Sequence, residues 1–133
     1  MRLARILAAG ALASSLGGCS ASYIDLEAER DGGEIVFRNP ASSWFSSDCV
    51  RLVEVTEKET GEVVWADGSL SSGCLFETPF TYGETSNLSD PDDLQPAQEL
   101  MPGKTYEIFV ELDGGAGDGS FTIEADGSIA NTG

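Results

Sequence analysis

The stretch TYEIFVEL, residues 105–112, puts Tyr106, Ile108, Val110 and Leu112 at every second position. Glu107, Phe109 and Glu111 fill the alternate positions. A period of two sends successive side chains to opposite faces of an extended chain, so this reads as a strand with one face buried and one in water. Phe109 breaks the pattern by placing an aromatic ring on the wet face.

Outward from this strand, the same period recurs. In Tyr23 to Glu29, Ile24, Leu26 and Ala28 alternate with Asp25, Glu27 and Glu29, which predicts one strand, and Asp31-Gly32-Gly33 predicts a turn after it. Glu34 to Arg38 is a second short strand, ended by Asn39-Pro40. The valine-rich run Cys49 to Glu57 is expected to be buried on both faces. The connection EKETGE, residues 57–62, returns it as a hairpin into Val63-Val64-Trp65, with Gly61 free to take a positive φ. Cys74 to Tyr82 places Cys74, Phe76, Phe80 and Tyr82 on one face. Residues 83–99 are polar and predict the longest irregular stretch. DGGAGDGS, residues 113–120, predicts a glycine-rich turn, after which Phe121, Ile123 and Ala125 alternate. No helical period of useful length follows residue 22. Short strands separated by turn signals predict an all-β fold, a small antiparallel β-sandwich formed by residues 23–133.

Immediately before the central strand stands Leu100-Met101-Pro102-Gly103-Lys104-Thr105-Tyr106. It resembles the L-x-P-G-x-x-Y turn of fibronectin type III and related immunoglobulin-like domains, with Leu100, Pro102, Gly103 and Tyr106 at the matching positions. The resemblance implies that Leu100 ends one strand, that Pro-Gly crosses between sheets, and that Tyr106 opens the next strand as a tyrosine corner. It covers the C-terminal third. The family's early core tryptophan has no match, since Trp44 lies in a loop and Trp65 in a later strand.

The chain opens with Arg2 and Arg5, an apolar run from Ile6 to Leu12, and then small residues. That is the order of a secretory signal peptide, and the run is too short for a bilayer span of roughly 20 residues. Leu16-Gly17-Gly18-Cys19 resembles the lipobox of bacterial lipoproteins. The resemblance implies removal of residues 1–18 and a diacylglyceryl group on Cys19, with residues 19–22 as a short tether. Ser20 after the cysteine points to the outer membrane more than the inner. With Cys19 lipidated, Cys49 and Cys74 remain as a disulfide pair in an oxidising compartment; two free buried thiols are the alternative. Closing that loop would stabilise the fold by roughly 3 kcal/mol on the chain-entropy account.

The chain carries 23 acidic and 7 basic residues and no histidine, for a net charge of −16. Losing Arg2 and Arg5 with the signal takes it to −18. Such a surface repels nucleic acid and anionic headgroups, and favours basic partners or divalent cations. Histidine-dependent triads and histidine metal centres are excluded. Lys58 and Lys104 both fall in turns, which leaves no candidate Ser-Lys pair. No cofactor and no enzymatic activity are expected. Asp90, Asp92 and Asp93, and Asp113 with Asp118, are calcium candidates without EF-hand spacing, and solvated turns are the plainer reading. Trp44, Phe45 and Phe109 are the candidate partner surface, for a protein or a glycan. The sequence thus predicts a lipid-anchored, periplasm-facing envelope module that binds without catalysis. The alternatives are an acidic calcium-binding or inhibitor module for a basic envelope enzyme such as a lysozyme, and a structural subunit of an envelope complex.

Overall fold

A computed structural model of the chain describes residues 22–42, 47–71 and 73–132. Cys19 and its signal segment, Trp44 and Phe45 lie outside the described residues. Among the described residues there is no helix; ten strands form two facing sheets. These are β1 (Ser22–Asp25), β2 (Glu27–Asp31), β3 (Glu34–Arg38), β4 (Cys49–Glu57), β5 (Val63–Gly68), β6 (Phe76–Glu77), β7 (Phe80–Thr81), β8 (Thr105–Leu112), β9 (Gly115–Ile123) and β10 (Ile129–Asn131). The larger sheet runs β1-β9-β8-β4-β5, with β10 on β9 and β6 on β4; the smaller runs β2-β3-β7. The arrangement is all-β and sandwich-like.

β8 lies between β4 and β9 and buries the side chains its alternation predicts: Tyr106, Ile108, Val110 and Leu112. They pack with Val50, Val53 and Val55 of β4 and Phe121 and Ile123 of β9. The smaller sheet contributes Ala28, Ile35, Phe37 and Phe80. Trp65 is 1% exposed at the centre of an aromatic cluster, its ring 5.2 Å from Tyr82, 6.0 Å from Phe76 and 6.3 Å from Phe80. Aromatic rings bury more apolar area per residue than any others, so this cluster carries much of the packing of a small domain. The Met101 amide donates to the Tyr106 hydroxyl at 2.9 Å, across the Pro102-Gly103 turn. Cys49 and Cys74 form a disulfide, their Cα atoms 5.2 Å apart. The β4–β5 hairpin turns at Gly61 with φ of +74°.

Several expected elements differ. The strand expected from Tyr23 to Glu29 is two strands in different sheets: β1 pairs with β9, and β2 pairs with β3. The chain crosses at Leu26, whose amide donates to the Asp118 carbonyl at 2.8 Å. Alternation continues across the break because both halves bury the same face, so the pattern cannot show the change of partner. The β1–β9 pairing is parallel, so the larger sheet is mixed rather than wholly antiparallel. Ser22, counted with the tether, is the first residue of β1. Cys74 to Tyr82 also divides, into β6 on the larger sheet and β7 on the smaller, with Pro79 (which has no N–H to offer a ladder) between them.

The expected glycine-rich turn is mostly strand. Only Asp113-Gly114 turns, and Gly115 onward is β9. The glycines serve close approach instead. A Cβ on Gly115 or Gly119 would overlap the carbonyl oxygen of Ser22 or Leu26, and one on Gly117 would lie 2.5 Å from Ile24 Cγ1. Three alternate glycines thus make room for the β1 backbone.

Residues 83–99 are irregular but not detached. They run along the outer edge of β5, where Ala66 and Gln95 exchange amide–carbonyl bonds at 3.2 and 2.8 Å. The Gln98 amide donates to Val64, and the Asp90 amide to Gly68, both at 2.8 Å. This covers backbone groups that an edge strand would leave open. Beneath this segment Asp67 is 1% exposed. Its Oδ2 accepts from the Ser89 hydroxyl at 2.8 Å, while Oδ1 has no hydrogen-bond partner among the described residues.

Two outcomes follow from this packing. Gly119→Ala should destabilise the fold by about 1–3 kcal/mol through overpacking and strip exchange protection from the β1 amides first, whereas Gly33→Ala, which opens onto free space, should leave both unchanged. Denaturant melts and amide exchange measure this. Ser89→Ala removes the hydrogen bond to a buried carboxylate and should cost about 1–3 kcal/mol in the same melts.

Candidate interaction surface

Strand register places a grid of side chains on the outer face of the larger sheet. Phe109 of β8 stands directly opposite Glu54 of β4 on one side and Asp118 of β9 on the other. Glu107 and Glu111 flank it along its own strand, opposite Thr56 and Ser120, and Leu52 and Ala116. The ring is therefore surrounded by four carboxylates, and is itself 42% exposed. Diagonal neighbours on a sheet face lie about 7–8 Å apart, so Glu54 and Asp118 each feel both Glu107 and Glu111.

The salt bridges among the described residues are Arg38–Glu29, Arg51–Asp113 and Lys104–Glu57, and none includes a carboxylate of this tetrad. Arg51 sits in a shallow depression with Leu52, Gly68, Asp93 and Glu111 and points its guanidinium to Asp113 at 3.7 Å, while Lys58, just past the end of β4, continues the register beside Thr105. Like charges facing one another on a sheet are destabilising, and a half-exposed phenyl ring forgoes burial. The arrangement lowers fold stability and presents negative charge around the negative face of a π system. Chemically it suits a cation: an ammonium or guanidinium seated on the ring would meet carboxylates on every side.

At one border of the grid, Tyr23 of β1 is paired with Ala116 and its hydroxyl faces Asp118. The hydrogen bond to Asp118, helped by partial desolvation and the charges of Asp118 and Asp25, raises the Tyr23 pKa above the ordinary 10.0. Inside the domain, burial raises the Tyr82 hydroxyl further; it donates to the Gln98 carbonyl at 2.7 Å.

The other candidate residues separate. Asp113 sits in the β8–β9 turn and Asp118 in mid-strand, at the far end of an extended run from Gly115 that alone spans about 10 Å. They cannot share an ion. Asp90, Asp92 and Asp93 form a turn of their own, where the Asp92 amide donates to Asp90 Oδ1 at 2.9 Å and the Asp93 amide to the Asp90 carbonyl at 3.0 Å. Among the described residues, no three Asp, Glu or Cys side chains converge as metal ligands would. A groove of about 820 Å³ lies between β2 and β10, lined by Glu27, Glu29, Arg30, Asp126, Ser128 and Asn131 among others. Its polar groups are largely committed. The Asn131 amide exchanges two hydrogen bonds with the Ala28 backbone at 2.8 and 2.9 Å, and Arg30 donates twice to the Gly127 carbonyl. The groove is a seam closed by side chains, whereas the Phe109 grid has unmet charge.

Compared with known proteins, the chain matches no family model, no curated protein and no solved structure.

The Tyr23–Asp118 contact gives a pH signature. A tyrosine whose pKa is raised by folding supports the fold fully below its unfolded pKa, and that support is lost as pH rises through the folded value. Asp118→Asn should lower the Tyr23 midpoint toward 10.0, followed through the ring-carbon NMR shift. An unchanged midpoint would remove Asp118 as the cause.

Proposed function

We propose that this chain is a lipid-anchored, non-enzymatic binding module of a bacterial cell envelope, and that its outer sheet face captures a basic protein partner. The observation that carries the reading is the tetrad of Glu54, Glu107, Glu111 and Asp118 around the exposed Phe109 ring. Solubility alone would call for dispersed acids and would not place a phenyl ring among them. The lipobox-like Leu16-Gly17-Gly18-Cys19 supports the anchor, and the signal peptide before it supports a periplasm-facing position, with Ser20 favouring the outer membrane. The sandwich is of immunoglobulin or fibronectin type III kind on the strength of the Leu100–Tyr106 turn. Carboxylates at this density steer a basic partner over about a Debye length, roughly 8–10 Å at physiological salt, and the ring then gives a fixed docking point. A basic envelope enzyme such as a lysozyme fits this chemistry, which makes the module an inhibitor or an accessory for such an enzyme.

The test uses a lysozyme as the basic probe. Phe109→Ala should weaken binding by about 1–2 kcal/mol through loss of the cation–π contact. The pair Glu54→Gln and Asp118→Asn should weaken it further and flatten its salt dependence. Neutralising Glu27 and Glu29 on the smaller sheet should change neither. Equal losses from the two pairs, or an unaffected Phe109→Ala, would show general charge attraction only and sink the proposal.

A further inference from the structure

The end of the domain from which the tether leaves carries a second apolar feature. Ser22 pairs with Gly115, Gly115 with Leu112, and Leu112 with Val50, so these residues lie at one end of the larger sheet. The Ser69 amide donates to Arg51 at 3.0 Å, which brings the chain leaving β5 to that same end. There Leu70 is 64% exposed, and its amide donates to the Leu88 carbonyl at 2.9 Å; Leu88 is 39% exposed. Gly73 leaves room for Leu88, since a Cβ there would sit 3.2 Å from its Cδ1. The large hydrophobic side chains exposed among the described residues are Tyr23, Leu70, Leu88, Leu94, Met101 and Phe109. Three of them, Tyr23, Leu70 and Leu88, stand at the tether end, while Met101 stands at the opposite end beside the Pro102-Gly103 turn.

From these positions we infer that Leu70 and Leu88 are a second membrane contact, which seats the tether end of the domain on a zwitterionic lipid surface. The inference rests on the proposed lipidation of Cys19. Only two residues lie between Cys19 and Ser22, a reach of about 10 Å at about 3.5 Å per residue. Four strand spacings of about 4.8 Å separate β1 from β5, so the leucine pair stands about 19 Å across the end from Ser22. A lipid on a tether that short holds this whole end within reach of the bilayer. One attachment point lets the domain tilt freely; a second, apolar one at the far side of the end limits the tilt and stands the strands upright. Asp113 and Glu77 lie at the same end, so neutral headgroups fit and anionic ones are repelled.

The experiment uses the full chain processed in a bacterial envelope and reconstituted in phosphatidylethanolamine–phosphatidylcholine vesicles. The photo-crosslinking amino acid p-benzoylphenylalanine replaces Leu70 in one preparation and Lys58, in the hairpin at the opposite end, in another. Lipid adducts several-fold more abundant from position 70 support the seating. Equal labelling from the two positions, or adducts from position 70 that are mainly to protein, overturn it. Intact mass of the same samples separates the two levels. A chain without lipid on Cys19 overturns the anchor and the seating together, whereas a lipidated chain with equal labelling overturns the seating alone.

Discussion

The architecture depends on the contact between the β1 backbone and three alternate glycines of β9. Because Gly115, Gly117 and Gly119 present no Cβ, β1 can lie against β9 in parallel, with the Ser22 and Leu26 carbonyls where side chains would otherwise stand. That contact closes the N-terminal half of the β9 edge, and β10 closes the rest. It also sets where the chain enters the domain and turns Tyr23 toward Asp118. Directly after it, the chain crosses at Leu26 to begin the smaller sheet, so the facing of the two layers follows from how β1 is held.

Much of this was legible in sequence, and the failures share a cause. The β8 alternation carried its own information: four apolar positions of strict period two are buried as read. The hairpin at Gly61 was legible for the same reason, since a turn residue between two apolar runs is a local signal. What was not legible concerned partners. Alternation from Tyr23 to Glu29 is the same whether one strand or two make it, and Cys74 to Tyr82 misleads in the same way. Glycine marks both a turn and a close approach, and only the strand lying against it tells which; residues 113–120 read as the first and are mostly the second. Residues 83–99 bind the β5 edge through backbone amides, which leave no pattern in side-chain type. Trp65 is a residue of the returning strand as read, but its place among Phe76, Phe80 and Tyr82 was not legible, because those neighbours are distant in sequence.

The candidate surface was half visible. Phe109 stood out because it broke the pattern of its own strand. Glu54 and Asp118 did not, since their places beside it come from the β4–β8 and β8–β9 registers. Composition groups Asp118 with Asp113 as acids of one glycine-rich loop, and the extended conformation of β9 separates them. Asp67 is a similar case in the core: a charged residue in a buried strand position, held by Ser89 from a segment that composition marks only as polar. In each case long-range placement gives a residue its meaning.

The covering of the larger sheet has a further consequence. One edge strand, β5, is bonded to the 88–98 segment, and the opposite border is made by β1 and β10. Open ladders template strand-to-strand growth between copies of a chain. With the β5 border already hydrogen-bonded, the outward ladder of the larger sheet is left to strands of four and three residues, too short a template for such growth.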